Sequence, residues 1–359
     1  MKIAIFGAGQ LAMMMVQADQ EKKHKFTVID PSPNPPASHY AEHIQSQYDD
    51  RNTLDKIAKE CDLATIDFEN VSVNAMRQLE KSIPVHPSSH ALEICQDRLK
   101  EKTLFNKLNI KTTNFFPINN ISDLNTHRRS NQSYILKSRR FGYDGKNQYR
   151  ITPDTKIQTD LINEECILEE LVDFEAEVSL ISVKSVNGNI YFYPLVENTH
   201  KDGILSMSVC PSGYDFLQSD AERIGSELLE AMNYVGVMVV EFFISKDKIL
   251  IANEIAPRVH NSGHWTIEGS NISQFSAHIN AITGDDKNNS ITYMPSVMFN
   301  VLSQHIPIMK IDSIKKKYEI SVHDYHKSER ENRKLGHITH TCKQNDQLIR
   351  NIRAILEIF

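Results

Sequence analysis

Two apolar runs, Val235 to Ile244 and Ile249 to Ile255, flank the polar Lys246-Asp247-Lys248, and no other pattern constrains this chain as strongly. Apolar runs split by a short polar turn predict a β-hairpin. With the turn centred between Asp247 and Lys248, Glu241 falls opposite Glu254. Like charges facing each other destabilise a strand pair, so two glutamates set among apolar neighbours point to a bound cation. Mg2+ is held by one or two carboxylates together with the phosphates of a nucleotide. The other reading is a pair of solvent-facing acids on an exposed hairpin. Pro257-Arg258-Val259-His260-Asn261-Ser262-Gly263-His264-Trp265 follows directly and gathers a guanidinium, two imidazoles, amide and hydroxyl groups and the only tryptophan into one loop. Such a loop is expected to face a substrate.

A chain of 359 residues is long enough for two or three domains. A formal net charge of -6 and a pI near 6.2 argue against nucleic-acid or membrane-surface binding, which draws on surplus Lys and Arg. Cys61, Cys95, Cys166, Cys210 and Cys342 show no C-x-x-C spacing. Neither a zinc site nor a disulfide framework is indicated, and a reduced, cytoplasmic setting is expected. The apolar run after Met1 is too short for a signal-peptide core, and none approaches a membrane span.

Residues 2 to 6 read as a buried strand, Gly7-Ala8-Gly9-Gln10-Leu11-Ala12 as G-x-G-x-x-A, and Leu11 to about Lys22 as a helix. The next strand, Phe26 to Ile29, runs into Asp30, where a dinucleotide-binding fold has its ribose acid. An NAD-dependent oxidoreductase is therefore one alternative. The glycines speak more directly of a phosphate near a helix N-terminus than of NAD. A helix over 53–60, a strand over 63–68 and a helix over 72–81 then predict a small parallel sheet. Ligands bind such sheets at the strands' carboxyl ends; Glu69 sits there, or else serves as a helix N-terminal acid.

A helix is expected over 89–108, with Asp97-Arg98-Leu99 at its middle. Tyr134 to Lys137 is a strand ending in lysine, and the loop Ser138 to Gln148 carries Arg139, Arg140, Gly142, Gly145 and Lys146. Glycines and cations in that order suit a lid over polyphosphate, although the loop is not a P-loop and also reads as a surface hairpin. The strand Cys166 to Leu168 continues into the connector Glu169-Glu170-Leu171-Val172, which suits an adenine ring. Further elements are strands over 175–181 and 191–196 and helices over 219–232 and 270–282. The polar run Asp285 to Asn289 marks a boundary before a small α/β tail. Arg330 to His337 in that tail is either a solvated loop or an anion contact.

Taken in order, these pieces resemble the ATP-grasp superfamily. Gly9-Gln10-Leu11, Asp97-Arg98-Leu99, Gly142-Tyr143-Asp144-Gly145-Lys146, Glu177-Val178-Ser179, His200 to Leu205, Asn253 to Arg258, His260 to Thr266, Ser273-Gln274-Phe275 and Lys334 to His337 resemble one branch of it across nearly the whole chain. That branch is the 5-(carboxyamino)imidazole ribonucleotide synthase family of purine biosynthesis. The resemblance implies an α/β enzyme with an N-terminal Rossmann-like parallel-sheet domain (1–90), a central ATP-grasp domain (91–290) and a small C-terminal domain (291–359). It implies a carbon–nitrogen ligase, working as a homodimer, that carboxylates 5-aminoimidazole ribonucleotide with ATP and bicarbonate through carboxyphosphate. Other ATP-grasp ligases, using formate or biotin, and a non-catalytic nucleotide sensor are the nearer alternatives.

Carried over by position, the ATP contacts would be Arg98, Lys137, the lid residues Gly142, Tyr143, Asp144, Gly145, Lys146, Asn147 and Gln148, then Glu169, Glu170, Leu171, Val172, Glu177, His200, Asn253 and Glu254. Glu241 and Glu254 would hold Mg2+. Glu69, Tyr143, Asp144, Lys146, Arg258, His260 and Lys334 would line the bicarbonate and aminoimidazole site, with Gln10, Arg330 and Arg333 near the ribose phosphate. Two positions depart from the family pattern: Asn147 stands where a second lid glycine is expected, and Asp67 where glutamate is more usual.

Overall fold

The computed structural model describes all residues except 20, 22, 143–146, 156–161, 163–164, 286–289, 303–307, 331–332 and 358–359, and leaves aside the side chains of 308–310, 313 and 316. The expected α/β architecture is present. At the N-terminus, β1 (Lys2–Phe6), α1 (Gln10–Ala18), β2 (Lys25–Asp30), β3 (Glu42–Gln45), α2 (Arg51–Glu60), β4 (Leu63–Ile66), α3 (Val73–Leu79) and β5 (Val85–His86) alternate. Their strands form a parallel sheet in the order β3-β2-β1-β4-β5. Alternate residues of β1 serve two cores, because successive side chains point to opposite faces. Ile3 and Ile5 join the core shared with α1 and the central sheet, and Ala4 and Phe6 the one under α2 and α3. The short edge strand β3 was not expected, since Glu-His-Ile-Gln has no apolar run.

The single helix expected over 89–108 is two, α4 (Ser89–Cys95) and α5 (Arg98–Lys107). The chain breaks at Gln96-Asp97, where Asp97 takes extended backbone and its carboxylate accepts the Leu99 N–H at 3.0 Å. Cap formation outweighs helix continuation there. Next comes a four-stranded sheet in the order β6-β9-β7-β8, built from β6 (Phe115–Ile118), α6 (Ile121–His127), β7 (Tyr134–Ser138), β8 (Gln148–Ile151) and β9 (Cys166–Glu170). Lys137 pairs with Ile167, so Lys137 and Glu169 are diagonal neighbours on one face.

The central sheet contains β10 (Phe174–Lys184), β11 (Ile190–Phe192), β12 (Val196–Lys201), β13 (Ile204–Cys210), β14 (Gly236–Ser245) and β15 (Leu250–Ala256), with α7 (Gln218–Ala231), α8 (Thr266–Gly269) and α9 (Gln274–Thr283) beside it. The strand expected over 191–196 stops at Phe192, and β12 carries His200 instead. The C-terminal β16 (Ser296–Leu302), α10 (Ile308–Lys317), β17 (Ile320–Asp324), β18 (Lys334–Thr341) and α11 (Asn345–Leu356) follow. Because β13 pairs with β16, their strands continue the same sheet in the order β15-β14-β10-β12-β13-β16-β18-β17. No described helix is long and apolar enough to cross a membrane.

The hairpin register has two parts. Next to the turn, Ile244 pairs with Leu250 and Phe242 with Ala252, whereas beyond a bulge Glu241 pairs with Glu254. The turn is thus centred on Asp247, half a residue from expectation, so that partners next to it are shifted by one, with Lys248 left-handed at φ 60°. The extra residue at the bulge, Asn253, restores the two glutamates to facing positions.

Gly336 on β18 sits under the main chain of β17: a Cβ there would lie 2.2 Å from the His323 carbonyl oxygen. Backbone cannot retreat as a side chain can. Gly336→Ala is therefore expected to cost roughly 1–3 kcal/mol of stability, read as a lowered midpoint in thermal denaturation followed by circular dichroism.

Candidate active site

A cavity of about 630 Å3 opens where the carboxyl ends of the N-terminal strands meet β15. Of the expected site residues, Gln10, Glu69, Arg98, Gly142, Glu254, Arg258, His260 and Lys334 line it. Asp30, Tyr48, Asp67 and Glu101 line it as well.

Charge balance at the hairpin is uneven. Arg98 donates to Glu254 at 2.9 Å. Burial alone would raise Glu254, but Arg98, with Lys137 behind it, draws its carboxyl down to about 2. At Glu241, burial together with the facing Glu254 pushes the carboxyl up to about 7 against the opposing pull of His200 and Lys334. His260 Nε2 stands 3.4 Å from Glu241. Burial and then Arg258 hold that imidazole well below its ordinary value, so it is a neutral neighbour. Asn253, at the bulge beside Glu254, has its Oδ1 buried with no hydrogen-bond partner among the described residues. Among the described residues no group of three or more His, Cys, Asp and Glu side chains could hold a metal. Two carboxylates and an orphaned amide oxygen form a hard-oxygen set. They fit Mg2+, which takes few protein ligands when phosphates supply the rest.

Among the residues expected to contact ATP, Lys137 donates to Glu169 at 2.8 Å, and the lysines around Glu169 bring its carboxyl to about 2 against burial. His200 lies 2.8 Å from Glu177; burial opposes the charged imidazole, but Glu177 raises it above its ordinary value. In the connector, the Glu170 N–H is bonded to Asn114 and its carbonyl to Thr113, and the Leu171 N–H to Ser133. That stretch of main chain is committed within the protein.

Among the residues expected at the acceptor site, Arg258 pairs with Glu69 and draws its carboxyl down although burial works the other way. His260 is fixed from both sides. Gln274 accepts its N–H at 2.9 Å and donates to its carbonyl at 2.6 Å, and its Nδ1 meets Ser262 Oγ at 2.9 Å. The loop faces the cavity only through Arg258, His260 and Asn261. His264 and Trp265 are fully buried, Trp265 edge-on to Tyr193 and Tyr293. They are core residues, contrary to the expectation that the loop as far as Trp265 faces substrate.

The glycine turn is also used differently. The Gly9 N–H donates to Asp67 at 2.5 Å and the Ala8 N–H to Asp30 at 3.1 Å, so these amides are satisfied by carboxylates of the chain and not left for a phosphate. Gly7 is left-handed at φ 94°, and a Cβ on it would lie 1.7 Å from Asp67 Oδ1. The glycine makes room for Asp67, and a dinucleotide pyrophosphate would meet two carboxylates instead of open donors. At the same turn Gln10 accepts from Lys327. Arg333 is bonded to Ser328 and, through its N–H, to the Arg330 carbonyl; neither arginine lines the cavity.

Tyr143, Asp144, Gly145 and Lys146 lie outside the described residues. Asn147 just after them is left-handed at φ 55°, a conformation asparagine tolerates better than most residues. Glu101 and Lys102 went unrecognised in the sequence. They share with Arg98 and Phe105 the i, i+3, i+4, i+7 spacing of one helix face, and buried Phe105 is the signal that this face points inward.

Three domain-family models match in order: the ribonucleotide synthetase preATP-grasp domain over residues 1–96, the ATP-grasp domain over 103–275 and the phosphoribosylaminoimidazole carboxylase C-terminal domain over 296–351. Fold and site together define an ATP-grasp enzyme. N5-carboxyaminoimidazole ribonucleotide synthase of Pseudomonas aeruginosa is 38% identical, with 99% of this chain and 100% of that one covered. N5-carboxyaminoimidazole synthetase from Staphylococcus aureus, crystallised with ADP, matches with a TM-score of 0.93 at 33% identity over 99% of this chain and 96% of that one. The Aspergillus clavatus synthase in complex with ADP and 5-aminoimidazole ribonucleotide matches at 0.88 and 25% identity, over 99% and 98%. The chain belongs to the N5-carboxyaminoimidazole ribonucleotide synthase family.

The raised Glu241 carboxyl sets a pH dependence. Without a cation its ionised form costs stability, a cost that grows as pH rises from the ordinary carboxylate range through about 7. A bound cation reverses the sign, because it competes with the proton. Calorimetric affinity for Mg–ADP should rise by up to about tenfold per pH unit below 7 and level off above, and Glu241→Gln should remove this dependence.

Proposed function

We propose that this chain, in the cytoplasm and as a homodimer, carboxylates 5-aminoimidazole ribonucleotide to 5-(carboxyamino)imidazole ribonucleotide, with ATP and bicarbonate consumed and ADP and phosphate released. It does so on three units spanning residues 1–90, 91–290 and 291–359. The observation that carries the reading is the position of the facing Glu241 and Glu254, with Arg98 and Lys137 on one side and the Glu69–Arg258 pair and His260 on the other. A metal-holding centre lies between a cationic nucleotide side and an acceptor cavity. The five cysteine thiols fit a reducing compartment.

Phosphoryl transfer asks a protein for positioning and charge neutralisation more than for covalent chemistry. Arg98, Lys137, Glu169 to Val172, Glu177, His200, Asn253 and Gly142 to Gln148 would hold ATP. Glu241 and Glu254, with Asn253 Oδ1 beside them, would hold Mg2+, whose charge offsets that of the phosphates. Bicarbonate attacks the γ-phosphoryl group to give carboxyphosphate, with Arg258 and Lys146 anchoring the anion. Carboxyphosphate is labile in water, so a closing lid protects it. Its breakdown delivers CO2 to the exocyclic amine, and Asp144 takes the amine proton or orients the group. Glu69, Tyr143, His260 and Lys334 shape the acceptor side. Gln10, Arg330 and Arg333 lie toward the ribose phosphate, and Lys327 joins them through its contact with Gln10.

The test is a coupled assay of ADP release with bicarbonate and aminoimidazole ribonucleotide omitted in turn. Release that needs both supports the reading. Release with formate or biotin instead, or nicotinamide reduction, would replace it. Glu254→Gln should abolish metal-dependent turnover while the thermal unfolding midpoint stays close to wild type. Near-normal carboxylation by Asp144→Asn would remove that residue from the mechanism.

A further inference from the structure

Helix α5 sends two more charged side chains inward beside Arg98. Lys102 is 1% exposed, and its ammonium spans two sheets. It donates to the Ala252 carbonyl of β15 on the central sheet at 3.5 Å and to Thr112 Oγ1, on the segment bridged to Ala252, at 3.1 Å. On the smaller sheet it lies 3.7 Å from Glu169 Oε2, the same oxygen that Lys137 reaches at 2.8 Å. The other oxygen, Glu169 Oε1, is buried with no hydrogen-bond partner among the described residues.

Two ammonium groups on one carboxylate leave a surplus of positive charge. Burying an uncompensated charge is expensive, and a simple structural ion pair would use one lysine. Glu101, three residues after Arg98 on the same face, turns to β15 instead, where its carboxylate accepts the Ile255 N–H at 2.6 Å. Ala252 lies two residues before Glu254 on β15, and Thr112 belongs to the segment entering the smaller sheet. Lys102 therefore ties the strand that carries a metal carboxylate to the sheet that carries Lys137.

We propose that Lys102 is a positioning residue: through Glu169 it sets the Lys137 ammonium in register with Glu254, so that both halves of the nucleotide site meet the same polyphosphate. The inference rests on the reading of Lys137 and Glu254 as nucleotide and metal contacts.

Its test is equilibrium titration of full-length protein with Mg–ADP, alongside steady-state kinetics. Lys102→Met is expected to weaken ADP binding and raise the KM for ATP by about tenfold or more, with the KM for aminoimidazole ribonucleotide within about twofold of wild type. Lys102→Arg should recover most of the ADP affinity. In the double variant with Glu169→Gln, the loss should fall well short of the product of the single effects, as coupled residues require. Thr112→Val, which removes an anchor of the ammonium but no charge, should shift ADP affinity in the same direction by a smaller factor and keeps the test open if Lys102→Met does not fold. Unchanged ADP affinity in folded Lys102→Met or Thr112→Val, equal rises in both KM values, or independent effects in the double variant would overturn the inference. Wild-type protein that binds ADP but does not turn over aminoimidazole ribonucleotide would fail the substrate reading alone.

Discussion

Electrostatic repulsion between Glu241 and Glu254, placed opposite each other on β14 and β15, sets the terms for everything around them. Neither side chain can escape, because the strands are pinned by the apolar packing of Val239, Val240 and Phe242, all buried. The surroundings resolve the conflict by treating the two acids differently. Glu254 is neutralised by Arg98 from α5, while Glu241, with the neutral His260 imidazole 3.4 Å away, is held up by burial and by Glu254 against the weaker pull of His200 and Lys334.

That asymmetry explains why α5 matters more than its length suggests. A ten-residue helix, freed from α4 by the Asp97 cap, turns Arg98, Glu101 and Lys102 toward polar groups on two strands, β15 and β9. Arg98 reaches Glu254, Glu101 accepts the Ile255 N–H at 2.6 Å, and Lys102 reaches across to Glu169. Asp97 itself is held by Arg139 at 2.6 Å, from the loop after β7. The helix N-terminus, Glu254 and the start of the loop after β7 are thereby parts of one charged network.

The positions of several candidate site residues were legible in the sequence because they occur in local patterns: a lysine near a strand end and acids in an apolar hairpin. What was not legible came from competition among long-range partners. The glycine turn reads as a phosphate site until Asp67, on a different strand, is found against the Gly9 amide. His264 and Trp265 read as site residues because they adjoin His260, yet a short helical turn carries them into the core. The facing glutamates were correctly paired for a reason only half visible, since the pairing next to the turn is shifted by one residue and the Asn253 bulge shifts the register back.

By itself the sequence determined the α/β class, the order of the elements, the family and the residue types that nucleotide and cation chemistry need, because periodicity and short motifs are encoded within a few neighbouring residues. Only the tertiary structure decided which carboxylate is neutralised and which is held up. It also decided that Glu101 and Lys102 face inward, and that the N-terminal turn is closed by aspartates. Those outcomes depend on burial and on charges that approach from distant segments, and both come into being only when the sheets pack together.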